Sequence, residues 1–185
     1  MKALKSSCAL LLLSVMIFAG FTSCNDTDDG SYVPPITLGE KIHGKWVLKS
    51  LKQIDEIAGQ AMDLTGQFDF ASFSIDLKAD AENNPTTFSI EGNAPAILPI
   101  NGSWAMGYPF TNADGTASKI ILYSDAALSN KVAELTVTAT PGASRVLEFK
   151  LTRKVKGQAF VSYVYNLVPV TNPGEGVRKG VQSMK

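Results

Sequence analysis

Few residues in this chain could do acid–base or covalent chemistry, and their spacing restricts what they could do. His43 is the single histidine, and with no second His and no Cys beside it the usual zinc ligand set cannot be assembled. A Ser-His-Asp triad would have to use the same His43, and no serine sits in a Gly-x-Ser-x-Gly elbow; "NGSWAMG" at 101–107 does not match one. Carboxylates are more plentiful, and two in one cleft would suffice for glycoside hydrolysis. Asp55, Glu56, Asp63 and Asp69 crowd the stretch "IDEIAGQAMDLTGQFD" and could meet at one mouth of a β structure, whereas Asp76, Glu134 and Glu148 alternate with apolar neighbours and so point to solvent. The expectation is a protein that is not an enzyme, with no catalytic residue, no metal and no cofactor.

The remaining reactive side chains are two cysteines, and their setting assigns them different fates. Cys8 lies in the apolar run "CALLLLSVMIFAGF", which follows Lys2 and Lys5 and has the length of a secretory h-region rather than the roughly 20 residues of a spanning helix. The run ends at "FTSC", which resembles the bacterial lipobox, with Phe21 where the commonest form has Leu and Ser23 where it has Ala or Gly. Looser forms of this kind are typical of Bacteroidota. The resemblance implies a lipoprotein signal peptide over 1–23 and a lipid attached to Cys24 as the first mature residue. Cys8 leaves with the signal, so the mature chain has no disulfide.

Behind Cys24 comes "NDTDDG". Asp26, Asp28 and Asp29 stand at spacings one, three and four with Gly30 fifth. An EF-hand loop needs acids at about one, three and five with Gly sixth, so a calcium loop does not fit. The acidic cluster resembles the signal that sends Bacteroidota lipoproteins to the outer face of the outer membrane. Residues 24–39 then read as a flexible acidic and Pro-containing tether, about 14 residues of which reach some 45 Å at full extension. The mature chain of 162 residues carries 15 basic and 17 acidic side chains, a net charge of −2. That balance gives no field for nucleic acid, and the basic residues Arg178, Lys179 and Lys185 fall in a Gly-rich tail, 171–185, that reads as disordered.

The elements that would position any site are strands. "RVLEFKLTR" places Leu147, Phe149 and Leu151 on one face, "VAELTVTA" places Ala133, Leu135 and Val137, and "ASFSIDLK" places Phe73, Ile75 and Leu77. Shorter alternations occur at Phe88 and Ile90 and at Ile120 and Leu122. "FVSYVYNLV" is apolar on both faces, as in a strand covered on both sides or one whose outer aromatics pack under a loop. With "KWVLKSLKQI" and "NGSWAMG" the count is eight, separated by turn signals such as "ENNP", "NADG", "TPGAS" and "VKGQ". No stretch provides a crossover helix, so neighbours pair antiparallel. The expected fold is all-β: an eight-stranded antiparallel up-and-down barrel over 40–170, with a two-sheet β-sandwich as the alternative. The segment 54–69 is either a long loop over one end or a hairpin turning at Ala58-Gly59.

The opening strand "HGKWVLKSLKQID", with its Gly44-Lys45-Trp46, resembles that of the lipocalin-like lipoproteins of Bacteroidota, many known only as a domain of unknown function. "DLTGQFDFASFSIDL", a second Gly-x-Trp at Gly102 to Trp104, and "KGQAFVSYVYNLV" extend the similarity over about 40–170. It implies a lipocalin-like barrel and carries over no catalytic residue. The expected inner face, from Trp46 and Leu48 through Met106 to Leu151, has no ionisable group. Trp46, Phe73, Phe88, Trp104 and Phe149 are the candidate ligand-lining residues, and Tyr108 and Phe110 in "GYPFTNADG" the candidates for a mouth or docking surface. The function read from this is a monomeric, membrane-anchored outer-membrane lipoprotein, exposed at the cell surface or, as the alternative, on the periplasmic face, that binds a small apolar or amphipathic ligand or a glycan. The alternative is an accessory protein docking another envelope protein, its barrel packed and ligand-free.

Overall fold

In a computed structural model, described for residues 34–95 and 98–170, every run read as a strand is one. The signal peptide, Cys24, the three aspartates behind it and the 171–185 tail lie outside the described residues. A short helix α1 (Leu38–Ile42) leads into β1 (Gly44–Asp55), β2 (Ala61–Asp63), β3 (Ser74–Ala79), β4 (Pro85–Glu91), β5 (Asn101–Met106), β6 (Lys119–Tyr123), β7 (Lys131–Ala139), β8 (Leu147–Val155) and β9 (Gln158–Pro169). Each long strand pairs antiparallel with the next, and β9 returns to β1 from Trp46↔Pro169 to Asp55↔Val161. The sheet is therefore a closed eight-stranded barrel with β2 as an added ninth strand, and the sandwich alternative falls away.

The segment 54–69 takes the hairpin form. β1 runs out to Asp55, the Asp55 N–H pairs with the Gln60 carbonyl at 2.8 Å, and β2 returns in register Lys52↔Asp63. Gly59 supplies the positive φ of +69° that the turn needs. Halfway along β1 a bulge between Leu48 and Ser50 inserts Lys49 against β9. One extra residue exchanges the faces beyond it. Leu48 is only half-buried, and Leu51 rather than Ser50 points into the barrel, fully buried.

Alternating side chains of all eight long strands fill the interior. Ile75, Leu77, Trp104, Ile120, Leu122, Leu135, Leu147, Phe149, Tyr165 and Leu167 are wholly excluded from solvent. Each contributes on the order of 1.5–3 kcal/mol by leaving water. β9, apolar on both faces in sequence, turns Tyr165 and Leu167 inward; Ser162 on its outer face is also buried, with its hydroxyl 2.9 Å from Thr152 Oγ1. Gly102 has φ +156°, and a Cβ there would collide with the Tyr123 carbonyl oxygen and crowd the Phe88 ring. Backbone and ring can approach so closely only at glycine.

Both mouths are covered. At one, α1 lays Leu38 and Ile42 over the barrel, beginning at Leu38 within the 24–39 stretch read as tether, and the Trp46 indole N–H donates to the Ile42 carbonyl at 2.8 Å. At the hairpin end, Leu64, Phe70 and Leu98 enter from loops and join the same core. The Leu51 N–H donates to Thr65 Oγ1 at 2.9 Å and the Leu64 N–H to the Leu51 carbonyl at 2.8 Å, which ties the first of these loops to β1.

Candidate functional site

The five residues expected to line a ligand cup are brought together in the interior, and they fill it. Trp46, Phe73, Phe88, Trp104 and Phe149 are all at most 4 % exposed. Phe149 stacks on Tyr165 at 5.0 Å and 26°, and Tyr165 tilts against Phe73 at 5.1 Å. Ring pairs at such separations are contacts of a close-packed core rather than the walls of an opening. The indoles are fixed as well: the Trp104 N–H donates to the Lys78 carbonyl at 2.7 Å, as that of Trp46 does to Ile42. A buried indole N–H needs such a partner, and both partners lie near the α1 end.

Just outside the filled interior, Trp104 lines a groove of about 290 Å³ that runs beside α1. Its apolar surface comes from Pro85, Ala105, Met106, Pro109 and Leu128, over the fully buried Trp104, and its polar surface from Thr37, Asn83 and Asn84. Several elements hold these residues in place. Thr37 caps α1, its Oγ1 accepting the Glu40 N–H at 3.0 Å. The Leu38 N–H donates to the Pro109 carbonyl at 2.7 Å and so ties the start of α1 to the β5–β6 loop. At Gly39 the helix packs on Pro85 and Met106, whose side chains lie 3.4 and 3.8 Å from where a Cβ would stand, at ordinary contact distance. Sequence reading missed Thr37, Pro85, Pro109 and Leu128. The one available signal was Thr37-Leu38-Gly39-Glu40, the spacing of a capping box.

Tyr108 and Phe110 flank Pro109 beside this groove, their rings edge-on at 6.4 Å and both exposed. Phe88 borders a second, more open concavity between β4, β5 and the β6–β7 turn, but its ring is buried and presents no stacking face.

The carboxylates of 54–69 do not converge. Asp55 accepts the Ala58 and Ile57 N–H groups, which hold its pKa below the ordinary carboxylate range, and Asp63 does the same with the Thr65 N–H. Glu56 reaches across the outer face to Lys150, 2.6 Å away, and that charge-assisted hydrogen bond is the main cause of its lowered pKa. His43 is the exposed C-cap of α1, its N–H on the Gly39 carbonyl at 2.9 Å. Among the described residues no group of three His, Cys, Asp or Glu side chains is placed to hold a metal ion. What the arrangement offers is surface complementarity: a mostly apolar groove with a hydroxyl and two amides at its edge.

No curated protein matches the chain. One family model does, that of a domain of unknown function, DUF5004, over residues 22–168, a span that takes in the whole barrel and also Cys24. A match over that much of the sequence means that the chain belongs to the DUF5004 family.

Proposed function

We propose that this protein is a non-enzymatic lipoprotein of the bacterial envelope, anchored through Cys24, which binds a small apolar or amphipathic ligand in the groove beside α1 rather than in the barrel lumen. One observation carries the reading: among the described residues a largely apolar concavity lies directly over Trp104, with a few polar groups at its rim, as small-molecule sites have. Met, Pro and Leu side chains suit an acyl chain or the apolar face of a sugar, and Thr37, Asn83 and Asn84 suit a polar head. The lipobox-like "FTSC" supports the anchor, and the aspartates at 26, 28 and 29 support export to the cell surface.

Purification from the native host, native mass spectrometry and extraction test the binding. A discrete bound mass that disappears in Leu128→Arg is expected, since Leu128 is 43 % exposed and its replacement leaves the core untouched. A mass retained in that variant would place the ligand elsewhere. For the anchor, a radioactive fatty acid should label the wild type and not Cys24→Ser. For export, protease should cleave the wild type on intact cells and spare the form with Asp26, Asp28 and Asp29 changed to Ala. The packed lumen favours a second reading, in which the barrel is a scaffold that docks another outer-membrane protein; co-purification of a stoichiometric partner with no small molecule would select it.

A further inference from the structure

We infer that the α1 end of the barrel is a membrane-seating surface, in which Ile36, Tyr108, Pro109, Phe110 and Leu128 rest in the headgroup region of the bilayer. The inference rests on the reading of Cys24 as the lipid anchor. Large apolar side chains are left in water at this end, Ile36 at 56 %, Tyr108 at 52 % and Phe110 at 38 % exposed, and Leu128, 43 % exposed, reaches the same groove from the β6–β7 turn. They are gathered rather than scattered. The Leu38 to Pro109 hydrogen bond holds the start of α1 to the aromatic loop, and Thr37, Pro109 and Leu128 line one groove. A contiguous exposed apolar patch of this kind marks an interaction surface.

Two further observations select a bilayer as the occupant. The segments that supply Ile36 and the aromatics, "ITLG" at 36–39 and "GYPFTN" at 107–112, contain no charged residue, and the charges nearest Leu128, Asp125 and Lys131, stand three positions away. At the hairpin end exposed Ile100 and Phe160 have no charged neighbour, but Ile57, Met62, Phe68 and Val155 each stand next to an acid or a lysine, so seating that end would bring charge into the interface. Aromatic rings with one polar edge are the side chains that settle at headgroup level. The second observation is position in the chain. Ile36 stands twelve residues after Cys24, a length that spans about 40 Å at most, so the anchor keeps this end of the domain within reach of the lipid to which it is attached. The two or three acyl chains of a lipobox cysteine make the anchor stable by themselves, so the apolar face sets how the domain lies on the bilayer rather than whether it is attached.

The test uses the full acylated protein on vesicles of phosphatidylethanolamine and phosphatidylglycerol, with a nitroxide lipid labelled near the headgroup. An environment-sensitive dye is placed on Thr111→Cys, beside the patch, or on Lys154→Cys, at the far end. Quenching should be roughly threefold stronger at 111 than at 154, because a face seated about 5–10 Å deep brings its dye among the labels. Tyr108→Ser combined with Phe110→Ser should reduce the 111 signal to the level at 154 while the protein still floats with the vesicles. Equal quenching at the two sites, or stronger quenching at 154, in a protein that floats would overturn the seating, keep the anchor and release the aromatics for a protein partner. A protein that fails to float would overturn the anchor and the seating together.

Discussion

Phe149→Ala separates a filled barrel from an open one. Phe149 is fully buried, stacked on Tyr165 at 5.0 Å, and Tyr165 in turn lies against Phe73. Returning the ring to water on unfolding no longer contributes its roughly 1.5–3 kcal/mol, and the lost ring contact removes about 0.5–1.5 kcal/mol more. The walls of a closed barrel are held by hydrogen bonds on both edges of every strand and collapse little around the hole, so the total should reach about 3–5 kcal/mol. In a soluble form beginning near Ser31, urea unfolding followed by circular dichroism should show the midpoint fall by about 1.5–2.5 M for a slope of about 2 kcal/mol per molar. Phe110→Ala, on the exposed aromatic loop, should move it by less than about 0.5 M. A loss under about 1 kcal/mol for Phe149→Ala, with the slope unchanged, would refute the packed interior and restore the lumen as a ligand cavity.

Three further outcomes follow from the same geometry. Leu147→Asp should abolish folding, because it buries an unpaired charge, whereas Glu148→Ala should cost only about 0.5–1 kcal/mol, the worth of its hydrogen bonds from Thr138 Oγ1, exposed, and Asn166 Nδ2, part-buried, both 2.9 Å; thermal melts that reverse this order would put the strand face the wrong way round. Gly102→Ala should destabilise by several kcal/mol, on the order of 3, because its Cβ meets the Tyr123 carbonyl, while Gly142→Ala, with open space around it, should be close to neutral by the same melts. Asp55, Asp63, Asp80, Asp114 and Asp125 each accept backbone N–H groups in a turn, which holds their pKa values below the ordinary one. A folded-state pKa below the unfolded value adds stability that is complete above about pH 4–5 and is lost as the pH falls through the depressed values. The melting temperature should therefore be level from pH 7 to about pH 5 and fall below about pH 4, less steeply in Asp80→Asn.

The strands were legible because a half-buried sheet writes its own period: Leu147, Phe149 and Leu151, or Ile75 and Leu77, alternate with polar residues and need no other context. Closure followed from the number of strands and the absence of crossovers. Legibility stopped where one residue broke the period, since nothing in "WVLKSLK" reveals that Lys49 is a bulge and that the inward face passes from Leu48 to Leu51. It stopped again at the two ends. Leu64, Phe70 and Leu98 are single apolar residues in loops, without periodicity, and only the folded chain shows that they cover a mouth. The groove was hidden for a related reason. Thr37, Pro85, Trp104, Pro109 and Leu128 come from five separate stretches with no motif in common, so their meeting is a property of the fold alone.

The β1–β9 seam imposes a temporal order on this chain. Its partners, Trp46 with Pro169 and Leu51 with Tyr165, stand more than a hundred positions apart, so the barrel cannot shut until almost the last described residue has been made. Until then β1 and β8 are raw edges with unpaired backbone groups, and the inward aromatics remain reachable by neighbouring chains. Such long-range pairing makes folding slow, on the scale of milliseconds to seconds for β proteins of this kind. A chain cut short before residue 158 would lack the closing strand altogether and be left as a sheet with two adhesive borders, a species prone to self-association.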